Sequence, residues 1–444
     1  MLLSRRTVEE RRRTPSLVDV TLDPAQAAAI RKPAGRALLV LGEAGHGKTT
    51  VLVHRVAHLW RTAKRALVLV PTEGLVRLLW PLMRKLGVDV DVWTFDAFAR
   101  HQARRSFRRL PPESESAPPR VMRTKRSPKL RAAIAEIAAR STKRVSRRDL
   151  FHLFGDRALV DDEETLEWTR VQFSKTTERA WSHVVDKKRL VAVDGRALDD
   201  GTATAHATTI DVEDYPILFE LDRLRAERPK EPSKFDLIAV DEAQELAPLE
   251  LRLIGRSLAR GGTLVVAGDA DQHTDATSTF LGWDAAMKEL GAEDHDAVTL
   301  DIGYRCPPDV VALAHLARSG GPLPAATPTS IAELGKELAA LVEDDTSASV
   351  AIVCARPLTA RAIAAGLARH VPARVVFDGK FLPRGPVQVT IVSEVKGLEF
   401  DYVLIVPAGM ERNALYVAVT RARDQAVLVS SGEWGDSSPR PPSP

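Results

Sequence analysis

The chain has 444 residues, of which 44% are hydrophobic, and this length allows two or three domains with sizeable cores. Its two cysteines, Cys306 and Cys354, are too few for a disulfide framework, and no apolar run is long enough to span a bilayer. The net charge is only +4, and the start of the chain lacks the apolar region of a signal peptide. These features predict an intracellular, cytoplasmic protein without a membrane partner.

Residues 1–20 form a polar lead-in that is rich in arginine, for which we expect no core of its own. The first helix is predicted to begin after Asp23, because aspartate is a good N-cap residue and Pro24 is favoured in a first turn. Gln26 lies in that first turn. It comes shortly before the strand that leads into the first functional motif.

A glycine-rich motif follows the apolar run 37–41 and precedes a helical pattern, and its sequence is Gly42-Glu43-Ala44-Gly45-His46-Gly47-Lys48-Thr49-Thr50. The spacing is that of a P-loop, in which glycines let backbone N–H groups point at phosphate oxygens and the following helix N-terminus favours negative charge. We expect Lys48 to hold the β- and γ-phosphates of ATP. We expect the hydroxyl of Thr49 to bind Mg²⁺, which prefers oxygen ligands.

Strand, helix and strand patterns alternate at 65–70, 72–86 and 88–94, which predicts a parallel, doubly wound α/β sheet. Residues 100–232 break this alternation and show mostly helical patterns, so we interpret them as an insertion in the first domain. Segment 100–150 contains 16 Lys and Arg against 4 Asp and Glu, so the rest of the chain sums to −8. Such a segment is either a solvated tether or a surface for a polyanion, and a P-loop enzyme favours the polyanion.

The sheet resumes with strand 235–240, which ends in the carboxylates Asp241 and Glu242. We expect Asp241 to hold Mg²⁺ and Glu242 to orient or deprotonate an attacking water, because paired carboxylates at a strand end complement a P-loop. The next strand, 263–267, leads to Gln272 at the same edge of the sheet, where ligands bind in open α/β folds.

A second α/β domain is predicted at 296–432, after a first domain made of 21–99 and 233–295. It contains residues 298–300, strands at 349–354, 374–377, 387–392, 402–406 and 426–430, and a helix at 414–423. Only 81 residues separate Arg305 from Val387, which leaves no room for a large accessory domain. Residues 433–444 are rich in Ser and Pro and are predicted to be a disordered tail.

Eight segments, in this order, resemble the motif set of UvrD/Rep-type superfamily 1 (1A) helicases. They are Leu22 to Gln26, the P-loop, Val92 to Phe98, Asp241 to Gln244, Gly268 to Gln272, Tyr304-Arg305, Lys396 to Phe400 and Leu415 to Ala422. The resemblance implies two RecA-like P-loop domains that close on ATP, with a mostly helical insertion in the first.

The resemblance also implies roles for single residues of the nucleotide site. Gln26 would contact the adenine edge, Tyr304 would stack on the adenine face, and Glu399 would accept from the ribose hydroxyl. Thr50 and Gly397, which stand in the same motifs, are further nucleotide-binding candidates.

Two arginines and a glutamine have implied catalytic roles. Arg305 and Arg421 would act from the second domain as arginine fingers that neutralise charge on the γ-phosphate. Gln272 would sense the γ-phosphate and pass its state to the nucleic-acid side.

The nucleic-acid residues are less well matched to the family. Pro71, Asp96 and the segment 280–284 depart from the usual UvrD/Rep pattern, and the segments 70–72 and 94–96 are closer to the HelD-type branch, whose members bind RNA polymerase. The candidates for contact with DNA are Thr72, Trp93, Thr94, Phe95 and Trp283, together with Arg104, Arg105, Arg108 and Arg109 of the basic segment.

We therefore predict an ATP- and Mg²⁺-dependent helicase or translocase that acts as a monomer on single-stranded or partly duplex DNA in the 3′ to 5′ direction. The alternative is a HelD-like ATPase that remodels RNA polymerase without unwinding DNA. A regulatory nucleotide-binding scaffold is a third possibility. It is disfavoured because Lys48, Asp241, Glu242, Arg305 and Arg421 are all present.

Overall fold

Two six-stranded parallel sheets, each flanked by helices, form the body of the protein. The structure is a computed structural model, which describes residues 21–114, 117–173, 208–304, 306–382 and 385–430. The prediction of two RecA-like α/β domains is confirmed. The lead-in 1–20, the tail 433–444 and Arg305 lie outside the described residues.

The first sheet has the strand order β3-β2-β4-β5-β1-β6, so the P-loop strand β1 lies between two neighbours inside the sheet. Its strands are β1 (Ala37–Gly42), β2 (Ala66–Val70), β3 (Asp91–Thr94), β4 (Phe235–Val240), β5 (Leu258–Gly268) and β6 (His295–Leu300). Strands β1, β2 and β4 are almost fully apolar and buried, as expected for strands covered on both faces.

Helices cover both faces of this sheet and build the insertion. In the first domain and the insertion they are α1 (Pro24–Arg31), α2 (Lys48–Leu59), α3 (Glu73–Lys85), α4 (Phe95–Ser106), α5 (Pro119–Arg126), α6 (Leu130–Ala139), α7 (Arg147–Phe154), α8 (Glu163–Gln172), α9 (Asp214–Arg225), α10 (Pro248–Arg256) and α11 (Trp283–Glu289). Asp23, Thr72 and Thr94 cap α1, α3 and α4 by accepting from backbone N–H groups in the first turn.

The second sheet has the strand order β7-β12-β11-β8-β10-β9. Its strands are β7 (Thr327–Pro328), β8 (Val350–Cys354), β9 (Ala373–Val375), β10 (Val387–Ile391), β11 (Phe400–Ile405) and β12 (Ala422–Ser430). The helices of this domain are α12 (Pro308–Ser319), α13 (Ile331–Asp344), α14 (Pro357–Leu367) and α15 (Arg412–Val419).

One predicted segment lies in the other domain. Residues 298–300 were assigned to the second domain, but they belong to β6, which pairs in parallel with β1 over Ala37–Gly42. Leu300 is 2% exposed and packs in the core with β1. The assignment was wrong because a strand pattern shows that a strand exists and does not show which sheet it joins.

Every helix among the described residues is too short or too polar to cross a bilayer.

Candidate functional site

The P-loop is held against α1 by a close contact that requires glycine. Gly47 has φ +86°, and a Cβ there would lie 2.4 Å from Nε2 of Gln26. That Nε2 donates to the carbonyl of His46 in the loop, while the Gln26 Oε1 accepts from the N–H of Asp23. Lys48 is buried, and its Nζ donates to the carbonyl oxygens of Gly42 and Glu43. The predicted phosphate-binding residues therefore lie together at the start of α2.

The predicted Mg²⁺ ligands also lie together. The hydroxyl of Thr49 donates to Oδ2 of Asp241 at 2.8 Å, across the end of β4. Burial and the neighbouring Glu242 raise the pKa of Asp241 to about 6, against the hydrogen bond from Thr49 and the charge of Lys48. No group of three or more His, Cys, Asp or Glu in the described ranges could hold a metal ion alone. One hydroxyl and one carboxylate nevertheless fit Mg²⁺ in an NTP site, where phosphate oxygens and water complete the shell.

Glu242 is fixed by its neighbours rather than by the solvent. It is 7% exposed, its N–H donates to Oδ1 of Asp241, and Gln244 Nε2 donates to its Oε2 at 2.6 Å. The Oε1 of Gln244 accepts from the N–H of Asp269 at 3.2 Å. Gln244 thus links the carboxylate pair to the loop that contains Gln272, a role that the sequence analysis did not assign.

The loop 268–273 is the main contact between the two domains near the P-loop. Arg421 Nη2 donates to Oε1 of Gln272 at 2.9 Å, and Asn413 Nδ2 donates to the carbonyl of His273 at 3.0 Å. The guanidinium of Arg318 is 3.3 Å from Asp271, and the hydroxyl of Tyr416 donates to Asp269 at 3.5 Å. A shift of the second domain would therefore move this loop.

Tyr416 also contacts the P-loop itself. Its hydroxyl oxygen accepts from the N–H of Ala44 at 3.3 Å. This N–H is one of the P-loop amides that are expected to face phosphate. Burial raises the pKa of Tyr416, with the nearby Asp269 acting in the same direction. Tyr416 stands in one of the eight motifs, but its tyrosine hydroxyl was not singled out, and only the fold shows that it reaches across the domain boundary.

Tyr304 lies next to Gln26, where the adenine is expected. Its backbone N–H donates to the carbonyl of Gly45, its hydroxyl donates to Oδ2 of Asp23 at 2.7 Å, and 47% of the residue is exposed. Desolvation raises the pKa of Tyr304 to about 12, and the hydrogen bond to Asp23 and the negative charge of that carboxylate act in the same direction. An exposed ring above the P-loop can accept a flat base, and the stacking role stays a prediction.

Gly397 and Glu399 have contacts other than those we expected. Gly397 has φ +72°, and a Cβ there would lie 2.2 Å from Cδ1 of Leu75, so this glycine allows α3 to pack against the second domain. The carboxylate of Glu399 accepts from Arg423 Nε at 3.0 Å. The next residue, Phe400, donates its N–H to the carbonyl of Arg421. The ribose role of Glu399 stays a prediction, and so does the nucleotide role of Thr50, which is buried in α2.

A cavity of about 570 Å³ lies between the first domain, the insertion and the second domain. The predicted residues Thr72, Thr94 and Phe95 line it. Ten carboxylates and three cations line it as well, and each cation, Arg100, Arg126 or Lys396, already pairs with a carboxylate. The cleft where DNA is expected is therefore rich in negative charge.

The two predicted tryptophans are packing residues. Trp93 contacts His101 and Phe235, with ring centroids 4.9 and 6.4 Å apart. Trp283 packs edge-on against Phe280 and lies so close to Gly268 that a Cβ there would be 2.2 Å from its ring. Neither residue lines the cleft, so the structure does not bring them together with Thr72 and Thr94.

The basic segment is partly neutralised by ion pairs. At least seven of its sixteen cations contact carboxylates, namely Arg100, Arg104, Arg120, Lys125, Arg126, Arg131 and Arg140. Of the four predicted DNA contacts, Arg104 is 3.9 Å from Glu113, while Arg105, Arg108 and Arg109 are exposed. Arg104 and Arg105 lie in the last turn of α4, which is about 18 Å long, and Arg108 and Arg109 follow this helix, at the end away from Thr94.

The family comparison concerns the second domain. Residues 387–429 match the UvrD-like helicase C-terminal domain. Those residues are similar to part of a UvrD-like helicase domain. This confirms the predicted resemblance to UvrD/Rep-type superfamily 1 helicases, a family of DNA helicases. None of the curated protein sequences matches the chain.

Solved structures similar to this chain include a domain of a possible DNA helicase and a Pif1 helicase. The C-terminal domain of a possible DNA helicase from Lactobacillus plantarum is 21% identical, over 30% of this chain and 89% of that chain, with a TM-score of 0.25. Pif1 helicase from Bacteroides, in complex with ADP-AlF3 and single-stranded DNA, is 12% identical, over 94% of this chain and 93% of that chain, with a TM-score of 0.40. The family assignment depends on the match at 387–429 and the motifs, and not on these low-scoring likenesses.

Proposed function

We propose that this protein is an ATP- and Mg²⁺-dependent translocase or helicase that acts as a monomer on single-stranded DNA in the 3′ to 5′ direction. The observation that supports this best is the bond between Arg421 of the second domain and Gln272 of the first, beside the P-loop. It makes the position of one domain depend on the nucleotide site of the other, which is what a motor requires.

The residues divide the work of hydrolysis between the two domains. Lys48 and the P-loop amides hold the triphosphate, and Thr49 with Asp241 would hold Mg²⁺, which neutralises phosphate charge when bound. Glu242 takes the proton of the attacking water, while Gln244 keeps its carboxylate in place. Arg421 brings positive charge from the second domain only when the domains are closed, so closure controls the rate.

The deciding experiment measures ATP hydrolysis by the purified protein alone, with single-stranded DNA, and with RNA polymerase. Under the proposal, single-stranded DNA alone stimulates hydrolysis. A labelled DNA duplex with a 3′ single-stranded tail is unwound in preference to a duplex with a 5′ tail. A rate of ATP hydrolysis that responds neither to single-stranded DNA nor to the tailed DNA substrates would refute the DNA motor.

The charge of the cleft favours a second candidate, an ATPase that remodels a protein such as RNA polymerase. Acidic side chains outnumber the three paired cations of the cleft even with Glu213 protonated, and this excess repels a polyanion and attracts a basic polypeptide segment. The same experiment separates the two candidates, because here RNA polymerase stimulates hydrolysis and DNA does not.

A further inference from the structure

Arg318 reaches from the second domain to the P-loop of the first. It lies in the last turn of α12, its Nη1 donates to Oε1 of Glu43 at 2.5 Å, and its Nε is 3.3 Å from Oδ2 of Asp271. Glu43 is the second residue of the P-loop, directly before Ala44, whose N–H faces the hydroxyl of Tyr416. Arg318 therefore lies beside the phosphate site, although none of the eight motifs includes it.

The ion pairs of Arg318 are weak enough for Arg318 to exchange its carboxylate partners for another anion. The side chains of Arg318, Glu43 and Asp271 are 34%, 53% and 50% exposed, and exposed ion pairs contribute little because water screens them. A guanidinium binds phosphate more strongly, through two parallel charge-assisted hydrogen bonds. A triphosphate in the P-loop would therefore compete well with Glu43 for this guanidinium.

Two other arginines show the contrast. Arg126 is tied to Glu250 and Asp275 with its side chain 9% exposed, so it cannot exchange partners cheaply. Arg421 is 1% exposed and is bonded to Gln272, Thr420 and the carbonyl of Val417. Of these three, only Arg318 contacts the P-loop and is exposed enough to move.

We propose that Arg318 is a further catalytic arginine, which leaves Glu43 and contacts the γ-phosphate when ATP binds, and that Glu43 holds it back until then. This inference depends on the proposed ATPase function. In the hydrolysis step, the water oxygen bonds to the γ-phosphorus as the bond to the β–γ bridging oxygen breaks. The electron pair leaves with ADP, the proton passes to Glu242, and Arg318 forms no covalent bond and neutralises charge on the γ-oxygens.

The test compares Arg318→Ala, Arg318→Lys, Glu43→Gln and the double variant Arg318→Ala/Glu43→Gln by their kcat and KM for ATP. We expect Arg318→Ala to lower kcat by at least about tenfold and Arg318→Lys to recover part of it. Glu43→Gln should raise kcat/KM by up to about fivefold, since an exposed pair is worth up to about 1 kcal/mol. The double variant should behave like Arg318→Ala. If the pair only fastens the domains, both single variants change the rate in the same direction, and the inference is overturned.

A binding measurement separates this inference from the proposed function. Arg318→Ala should weaken a non-hydrolysable ATP analogue relative to ADP, because only ATP has the γ-phosphate, and this ratio can be measured whether or not the protein turns over. An unchanged ratio overturns the inference, while a wild-type protein without ATPase activity refutes only the proposed function. Arg157→Ala, which removes a more exposed ion pair with Glu163 in the insertion, is the control and should leave both readouts unchanged.

Discussion

Glu242 has an unusual backbone conformation. Its φ of +51° and ψ of +44° place it in the left-handed region, which costs a non-glycine residue about 1–3 kcal/mol. Such strain persists only where the surroundings impose it, and here Asp241 and Gln244 hold both its N–H and its carboxylate. Strained residues cluster at active sites, so the conformation supports the catalytic role proposed for Glu242.

Replacing Glu242 by Gln tests that role with little change in shape. We expect ATP binding to be kept and turnover to fall by about 10²–10⁴, because an amide cannot take the proton of water. Lys48→Ala should weaken ATP binding itself. Steady-state hydrolysis and titration with a fluorescent ATP analogue measure the two effects. Glu73→Gln, a carboxylate on the wall of the same cleft, is the matched control, and wild-type turnover in Glu242→Gln would contradict the assignment.

The arginine fingers should affect kcat more than affinity. Under the proposed function, Arg421→Ala would remove the charge that the second domain brings to the γ-phosphate, and such fingers are worth about 10³–10⁵ in rate. The prediction for Arg305→Ala is the same in direction, and it rests on the motif alone because Arg305 lies outside the described residues. Single-turnover rates and KM for ATP give the measurement, and unchanged kcat in both variants would exclude hydrolysis controlled by domain closure.

From the raised pKa of the buried Glu213 carboxyl we predict that the stability of the protein depends on pH. Glu213 lines the cleft and is 8% exposed, and burial raises the pKa of its carboxyl to about 8. The negative charges of Asp211 and Asp96 raise this pKa further, while the hydrogen bond from its own N–H and the charge of Lys125 lower it. The folded state therefore keeps the proton between about pH 4.5 and 8, where the unfolded state loses it. Stability must fall as pH rises through this window, by about 1.4 kcal/mol per unit at most. Urea unfolding at pH 5 to 8 should show this slope, and Glu213→Gln should reduce it; an identical slope in the variant would rule out Glu213 as the cause.

At the scale of elements, the insertion is organised around a buried ion group. Lys125 of α5 is 2.6 Å from Asp211 and 2.8 Å from Asp214, and these side chains are 1–2% exposed. Trp168 and Gln172 of α8 also donate to Asp211. One lysine of the basic segment 100–150 thus joins three elements of the insertion.

Lys125→Met should destabilise the protein by about 3–5 kcal/mol, because it leaves two buried carboxylates without their cation. Chemical unfolding measures this, and Arg120→Ala, which removes an exposed partner of Asp162, should cost less than about 1 kcal/mol. Equal losses in the two variants would show that Lys125 does not hold the insertion together.

Local patterns predicted which residues of the P-loop edge lie together, and they did not predict the surroundings of the tryptophans, for physical reasons. The P-loop and Asp241 each follow an apolar strand, and parallel strands bring their carboxyl ends to one edge, so Thr49 and Asp241 meet as expected. Residues 298–300 were misassigned because pairing is non-local. The packing of Trp93 and Trp283 was not foreseen for the same reason, since their partners Phe235 and Gly268 come from other strands; their contact with DNA stays a prediction.

At the scale of the whole molecule, charge is separated between two surfaces. The cleft carries the carboxylates, whereas the exposed arginines Arg105, Arg108 and Arg109 lie in the last turn of α4 or just after it. We expect a polyanion to bind the exposed arginines rather than the acidic cleft. Its affinity should therefore depend on contacts with phosphates more than on base stacking in the cleft.

This separation leads to a test with salt. Each phosphate that is neutralised on a single strand lowers log K by about 0.7 per unit of log salt, because bound counterions are released. Replacing Arg104, Arg105, Arg108 and Arg109 by Ala should weaken binding of every labelled single strand alike and flatten this slope, while hydrolysis without DNA stays unchanged. The control replaces Arg131 and Arg140, whose charges already pair with Glu289, Glu136 and Asp156 and so have less to give to phosphate. If the fourfold variant keeps the wild-type affinity and slope, these arginines do not bind DNA, and the acidic cleft then favours a basic protein partner over a DNA track.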